Sequence, residues 1–436
     1  MKKISLSFVS LFVFLSLCLF SFSAETPAPT KPAFQLTVQE EPQTALYKVG
    51  EKAVFKVGVD GVIPPDFKVH YAVQQGNQEK PSEEGDFTFT TETPTLTVEH
   101  LWEKPGFALL KITSPLLGDK PSLGGAGCEP EKIQPSLPKP SDFDSFWDEQ
   151  KKSWDALPLE EVLTPVATTI PNIEVYSITM NNIQGSKIHG FFAKPKGAGP
   201  FPIVMCVNYA GIYSLNPNLV SNFASRGAIS MDINPHDIEN GQPPEYYKEL
   251  GQKALLDWSH QGRESRETSY FLRMFSSCYR GGKYLTSRPE WNQKQFIVQG
   301  SSMGGGQSIV SAYLCPQITA FASNVPALCD HAGPVAGRLA GWPRWCAVKE
   351  GALDPKQLEA SRYYDTVNFA YTIKAKALIS NGFIDTTCPP SSVYAAFNVL
   401  AGEIEMMNLP LSGHEVKPEW TKKWNEFITA EAGLKP

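Results

Sequence analysis

Residues 295–314 bring three patterns together in one short stretch. Gln295-Phe-Ile-Val-Gln is a short apolar run of strand character. Gly300-Ser-Ser302-Met-Gly304-Gly-Gly follows without a break, and Ser308-Ile-Val-Ser-Ala-Tyr-Leu continues with helical character. A strand that passes into a helix through one serine, with glycine two residues to either side, must turn sharply. The glycines let the backbone pass close to its neighbours, and the serine hydroxyl is lifted above the sheet near a helix N-terminus. Gly-x-Ser-x-Gly alone is weak, because both residues are common. Between a strand and a helix it reads as a nucleophile elbow, and it commits this part of the chain to a mostly parallel sheet with helices on both faces.

A serine at its ordinary pKa is a poor nucleophile; it needs a base, and the base needs a carboxylate to orient it. In such a fold the order along the chain is serine, acid, histidine, with acid and base on loops after late strands. Ala375-Lys-Ala-Leu-Ile-Ser leads into Asn381-Gly-Phe-Ile-Asp385, which places Asp385 at a strand exit. Glu403-Ile-Glu-Met-Met-Asn-Leu leads into Pro410-Leu-Ser-Gly-His414, which places His414 on the next such loop. Asp385 follows Ser302 by 83 residues and His414 follows Asp385 by 29, room for one helix and one strand. The expected triad is therefore Ser302, His414 and Asp385. Two backbone N–H groups are expected to receive a developing oxyanion: that of Met303, directly after the serine, and that of Tyr209, after the strand Pro202-Ile-Val-Met-Cys-Val.

Other residues fit less well. Ser301 precedes the centre of the turn, and Asp354 and Asp365 lie in an insertion-like stretch. Glu415 follows His414 and is expected to face away, holding the loop. His331 comes too early in the order, and His236, in Asn234-Pro-His-Asp, reads as a turn position. His70 and His100 carry no clustered second ligand type and read as structural.

The strands around the elbow extend the pattern. Runs near 174, 187, 202, 228, 295, 320, 375 and 403 give about eight strands, the first two hairpin-like and the rest spaced for crossover helices. Upstream the text changes: six alternating or β-branched runs between 34 and 114, with no helical pattern between them, predict a small all-β, sandwich-like domain. Residues 115–140, rich in glycine and proline, read as a linker, and Ser141 as the N-cap of a helix carrying Phe143, Phe146 and Trp147. The α/β domain is then expected over 141–436.

Lys2 and Lys3, the apolar run 4–22 and the small residues ending at Ala24 have the anatomy of a secretory signal over residues 1–24. No other segment approaches the ~20 apolar residues of a spanning helix, so no membrane association is expected after cleavage. The chain is mildly acidic, with 39 Lys and Arg against 45 Asp and Glu, which argues against a nucleic-acid partner. Seven of the eight cysteines follow the signal, an odd number that leaves at least one thiol unpaired, and no Cys-x-x-Cys occurs.

Several segments carry a resemblance. Ser141-Asp-Phe-Asp-Ser-Phe-Trp, Tyr270-Phe-Leu-Arg273, Gly300-Ser-Ser302-Met-Gly-Gly-Gly, Asn324-Val-Pro-Ala-Leu-Cys-Asp330, Gly382-Phe-Ile-Asp385-Thr-Thr-Cys-Pro-Pro and Gly413-His414-Glu resemble the acetyl xylan esterase / cephalosporin-C deacetylase family, the seventh carbohydrate esterase family, over about 140–430. The resemblance implies an α/β-hydrolase that removes acetyl groups from oligo- or polysaccharides without metal or cofactor. It gives Ser302, Asp385 and His414 the triad roles and the Tyr209 and Met303 amides the oxyanion role. Two departures stand out: Met303 replaces the usual Gln, and Asp232-Ile-Asn-Pro-His lacks the family's Arg-Gly-Gln. With an added β-domain, a homo-oligomer is open and the family's ring-like hexamer is not assumed. The alternatives are another serine esterase or a peptidase on the same fold, or an exported carbohydrate-binding protein with an inactive hydrolase domain.

Overall fold

The computed structural model describes residues 34–76 and 80–435; the expected signal at 1–24 lies outside them. Eight strands open the described residues: β1 (Phe34–Glu41), β2 (Leu46–Tyr47), β3 (Lys52–Gly61), β4 (Phe67–Gln75), β5 (Glu83–Phe89), β6 (Thr95–Leu101), β7 (Gly106–Thr113) and β8 (Ser122–Cys128). They form two sheets, β1-β3-β6 and β2-β8-β7-β4-β5, antiparallel except for the β2–β8 pair. Their inward side chains, among them Phe55, Val57, Phe67 and Leu110, make a separate core together with Trp102, which follows β6. Alternation along β6 shows the cause: Leu96, Val98 and His100 are buried while Thr95, Thr97 and Glu99 face water.

β8 corrects the expected linker. Residues 122–128 pair with β7, Lys111 opposite Leu123 and Phe107 opposite Gly127. Their glycines serve close packing: a Cβ on Gly125 would stand 2.6 Å from the Phe383 Cβ. That contact belongs to a seam between the sandwich and the rest of the chain. Phe107 on β7 meets Phe383 edge-on at 5.0 Å and lies 5.6 Å from Tyr394.

The second part holds a nine-stranded sheet. Its strands are β9 (Val162–Pro165), β10 (Ile173–Asn181), β11 (Lys187–Pro195), β12 (Phe201–Val207), β13 (Ile229–Ile233), β14 (Trp291–Ser301), β15 (Ala320–Asn324), β18 (Lys376–Gly382) and β19 (Ile404–Leu409); a small hairpin, β16 (Val348–Lys349) and β17 (Ala352–Leu353), stands apart. The order is β19-β18-β15-β14-β12-β13-β11-β10-β9, with the six strands from β19 to β13 parallel and the last three antiparallel. β9 is the strand that sequence patterning misses; its four residues are mostly exposed.

Nine helices complete the described chain: α1 (Phe143–Asp155), α2 (Asn218–Ser225), α3 (Pro244–Gln252), α4 (Tyr270–Thr286), α5 (Met303–Leu314), α6 (Pro355–Ser361), α7 (Thr366–Ala370), α8 (Pro390–Phe397) and α9 (Pro418–Ala432). Both faces of the parallel strands are covered. On β12, Ile203, Met205 and Val207 enter the core beneath α4 and α5, while Val204 and Cys206 enter the one beneath α2 and α9. This two-sided burial explains why these strands read as continuous apolar runs. α1 starts one residue later than expected, with Asp142 at its N-cap; the Asp142 carboxylate is taken by Tyr363 and Arg266 instead.

All seven described cysteines are unpaired, six of them buried. No helix among the described residues is long and apolar enough to cross a membrane.

Candidate active site

β14 ends at Ser301 and α5 begins at Met303, so Ser302 alone makes the turn. Its φ of 57° and ψ of −119° lie where residues with a Cβ are strained, a cost of order 1–3 kcal/mol met only where surrounding structure enforces it. Backbone contact supplies that enforcement. A Cβ on Gly300 would meet the Gly304 carbonyl carbon at 2.4 Å, and one on Gly304 would meet the Val207 oxygen at 2.5 Å. Ser302 N–H donates to Asn324 O at 2.8 Å, and Ala327 N–H donates to Ser302 O at 2.9 Å, which ties the turn to the exit of β15.

The two expected partners converge on this serine. His414 Nε2 lies 2.8 Å from Ser302 Oγ, and His414 Nδ1 lies 2.8 Å from Asp385 Oδ2. A carboxylate accepts, so Nδ1 carries the proton and the Nε2 lone pair faces the serine hydroxyl. Asp385 Oδ1 accepts from Thr387 and Cys388 N–H at 2.8 and 2.9 Å, and its side chain is fully buried. Charge-assisted bonds of this kind fix both the carboxylate and the ring. Glu415 holds the histidine loop through Gly413 N–H and Lys417, and Ser301 Oγ accepts from Asn324 within the sheet, so neither competes for these roles. Asp365 caps α7 and accepts from Asp330 and His331 N–H.

Asp385, His414 and Cys388 also bring three potential ligand atoms within 4.8 Å of one another. The carboxylate and ring already bond each other, and burial pushes the Cys388 thiol well above its ordinary pKa, so the trio fits a hydrogen-bonded relay beside a buried thiol better than a metal centre.

Neither the Tyr209 nor the Met303 N–H meets a protein acceptor among the described residues. Met303 is the first residue of α5, where N–H groups have no partner within the helix. The loop bearing Tyr209 is pinned from several sides. Asn208 Nδ2 donates to Asp232 Oδ1 at 2.6 Å and to Ile233 O, while Gln307 Nε2, from α5, donates to Asn208 O at 2.9 Å. Tyr209 stacks on Tyr213 at 4.7 Å, and the Tyr213 hydroxyl donates to Tyr209 O.

A hydrogen-bonded relay braces the segment after β13, where Arg-Gly-Gln is absent. Arg273 Nη2 donates to Tyr270 Oη and to Pro235 O, both at 2.8 Å; the Tyr270 hydroxyl donates to His236 Nδ1 at 2.7 Å; and His236 Nε2 donates to Gly211 O at 3.0 Å. A carbonyl only accepts, so the proton sits on Nε2. Burial, reinforced by Arg273, pushes the ring down to about 3 and keeps it neutral. His236 is thus a buried brace of the Tyr209 loop, beyond the turn position its sequence context indicates. Gln307 is the site residue that sequence patterning passes over, and Asp232, His236, Tyr270 and Arg273 are met there without this bracing role. The one available signal was two polar residues, Asp232 and Gln307, inside otherwise apolar segments.

A parallel sheet with its serine at a strand-to-helix turn, met there by an imidazole from a later loop, puts the protein in the α/β-hydrolase class. A sequence profile described as acetyl xylan esterase (AXE1) matches residues 129–430. An acetyl esterase of Xylanibacter ruminicola, Axe7A, is 30% identical over 400 residues, covering 87% of this chain and 88% of its own. The structure of an acetyl xylan esterase from Paenibacillus sp. R4 superposes with a TM-score of 0.60 at 25% identity, over 70% of this chain and 98% of that one. Acetyl xylan esterase 1 from Thermoanaerobacterium sp. JW/SL YS485 shares the fold, with a TM-score of 0.61 at 21% identity over 69% and 97% of the two chains. The chain belongs to the acetyl xylan esterase family and is a carbohydrate esterase, a hydrolase of ester bonds.

Proposed function

We propose that this chain deacetylates acetylated xylan or xylo-oligosaccharides through an acetyl-enzyme on Ser302. The observation that carries the proposal is the pair of 2.8 Å contacts linking Ser302, His414 and Asp385. His414 Nε2 takes the Ser302 proton as Oγ attacks the acetyl carbonyl carbon. The carbonyl oxygen, now an oxyanion, is received by the Tyr209 and Met303 N–H groups. His414 then returns the proton to the sugar oxygen as the C–O bond breaks, leaving the acetyl on Ser302. Water repeats the sequence, releasing acetate and restoring the serine. Each oxyanion donor of this kind is worth about 3 kcal/mol in the transition state. Asp385 holds the ring in the tautomer this requires.

The family and the names of its relatives support the acetyl and xylan parts of this reading. Wild type and Ser302→Ala are to be compared on a series of p-nitrophenyl acyl esters and on acetylated xylan. The proposal expects preference for the acetate and loss of both activities in the variant. Retained hydrolysis in Ser302→Ala, or a preference for long acyl chains or peptide amides, rules it out. Export is proposed from the composition of residues 1–24, with cleavage near Ala24; N-terminal sequencing of protein recovered outside the cytoplasm tests it.

A further inference from the structure

A cavity of about 580 Å³ lies along the seam, between the β4 and β7 side of the sandwich and the loop that carries Asp385. That volume falls within the range of small-molecule sites, roughly 300–1,000 Å³. Asp385 and Thr386 form part of its wall, so it lies one loop away from Ser302. Its charge is one-sided. Among the described lining residues five are cations, and Asp385 is the one acid. The Asp385 carboxylate is fully buried and both its oxygens already accept, from Thr387, Cys388 and His414, so neither pairs with a cation of the cavity. Lys132 is paired with Glu129 and Arg338 with Asp330.

Lys104, Lys111 and Arg344 remain. Among the described residues none of the three has a carboxylate within ion-pair distance; Lys111 donates to Gln74 Oε1 and Arg344 to Thr386 O, both neutral acceptors. Gln75 Nε2, also from a lining residue, is buried with no acceptor among the described residues. A buried donor left unpaired is costly, and a ligand oxygen would satisfy it. Three cations in one cleft with no carboxylate partner among the described residues, in a chain of net charge −6, oppose the overall field and make the cleft a local sink for anions.

We propose that this cleft binds the carboxylate of a uronic-acid unit carried by the glycan whose acetyl group reaches Ser302. The inference rests on the acetylated-glycan reading above and adds an acidic-sugar subsite to it. Lys104 and Lys111, on the sandwich, and Arg344, on the hydrolase side, take the carboxylate, while Gln75 and Gln74 meet sugar hydroxyls. The β-domain thereby contributes residues to substrate choice.

The test pairs turnover with direct binding. Full-length wild type and the Lys104→Gln/Lys111→Gln double variant are assayed on p-nitrophenyl acetate, on acetylated neutral xylo-oligosaccharides and on acetylated oligosaccharides bearing one uronosyl group. The wild type is expected to show a lower KM for the acidic substrate. The double variant raises that KM about tenfold and leaves the other two substrates unchanged, the effect of removing two partly exposed charge contacts. Raising NaCl from ~50 to ~500 mM narrows the wild-type preference. Calorimetric titration with a uronosyl xylo-oligosaccharide free of acetyl groups reads the subsite without catalysis. Binding to wild type and its loss in the double variant support the cleft even if the acetyl-glycan reading fails. Equal KM for neutral and acidic substrates in the wild type, or undiminished binding of the acidic sugar in the double variant, overturns it.

Discussion

Gln307, one turn into α5, donates its side-chain N–H to the carbonyl oxygen of Asn208 at 2.9 Å. In a trans peptide the carbonyl and the following N–H point in opposite directions. Holding Asn208 O toward α5 therefore aims Tyr209 N–H the other way, out of the loop. Met303 N–H, one residue after Ser302, and the anchor for Tyr209 N–H, five residues after it, thus come from the same helix.

Gln307→Leu removes the anchor at nearly constant volume. The expected result is a tenfold or greater loss of kcat on p-nitrophenyl acetate with KM little changed, because the donor acts on charge that develops only in the transition state. Affinity for a boronate or phosphonate transition-state analogue falls by the same factor. A variant that lost stability but kept kcat would make Gln307 a packing residue only.

Asp232, which receives Asn208 Nδ2, is almost completely buried, and burial pushes its carboxyl up to about 7 from an ordinary 3.8. An acid raised on folding lets the unfolded chain release its proton first. Stability at this site is therefore full below about pH 4, declines as pH rises toward 7, and stays reduced above. At ~1.4 kcal/mol per unit, a rise from 3.8 to about 7 corresponds to a loss on the order of 4 kcal/mol. Asp232→Asn keeps an acceptor for Asn208 and should raise Tm at pH 8 while changing it little at pH 4. A deficit in Tm at both pH values would refute the assignment.

Gly304 leaves room for the strand that carries the Tyr209 loop, since a Cβ there would stand 2.5 Å from Val207 O. Gly304→Ala must push β12 away from the elbow. A displacement of about 1 Å near reacting groups costs on the order of 100-fold in rate. Circular dichroism should show a folded protein with kcat reduced by about that factor.

Phe107 belongs to the sandwich but packs against Phe383, two residues before Asp385. Phe107→Ala is expected to cost about 3–5 kcal/mol and also to lower kcat, because the loop bearing the acid loses its support. Val57→Ala, deep in the sandwich core, should cost stability and leave kcat intact at temperatures where the protein is folded. Equal kcat in the two variants would place the acid loop's support elsewhere.

The proposed triad is legible because each member sits at a strand exit and obeys a fixed order along the chain, features that one-dimensional patterning preserves. The braces are not. Gln307 meets Asn208 across 99 residues and Arg273 reaches Pro235 across 38, and no local pattern encodes such meetings. Strand β8 was hidden for a different reason. Its three glycines have the composition of a flexible connection, and only the side chains of Val38, Phe383 and Phe107 pressing on them show that the sheet needs residues without a Cβ. Short β9, exposed along most of its length, offers no hydrophobic alternation to read.

Gly125, with Phe383 pressed against the place where its Cβ would be, also bears on how such an enzyme can change over generations. A domain joined by a loose tether can be exchanged by recombination anywhere in that tether. Here a crossover between residues 115 and 140 would divide β8 from its sheet or bring a foreign side chain against the neighbour of Asp385. Viable chimaeras should therefore inherit the sandwich and the acid loop from the same parent.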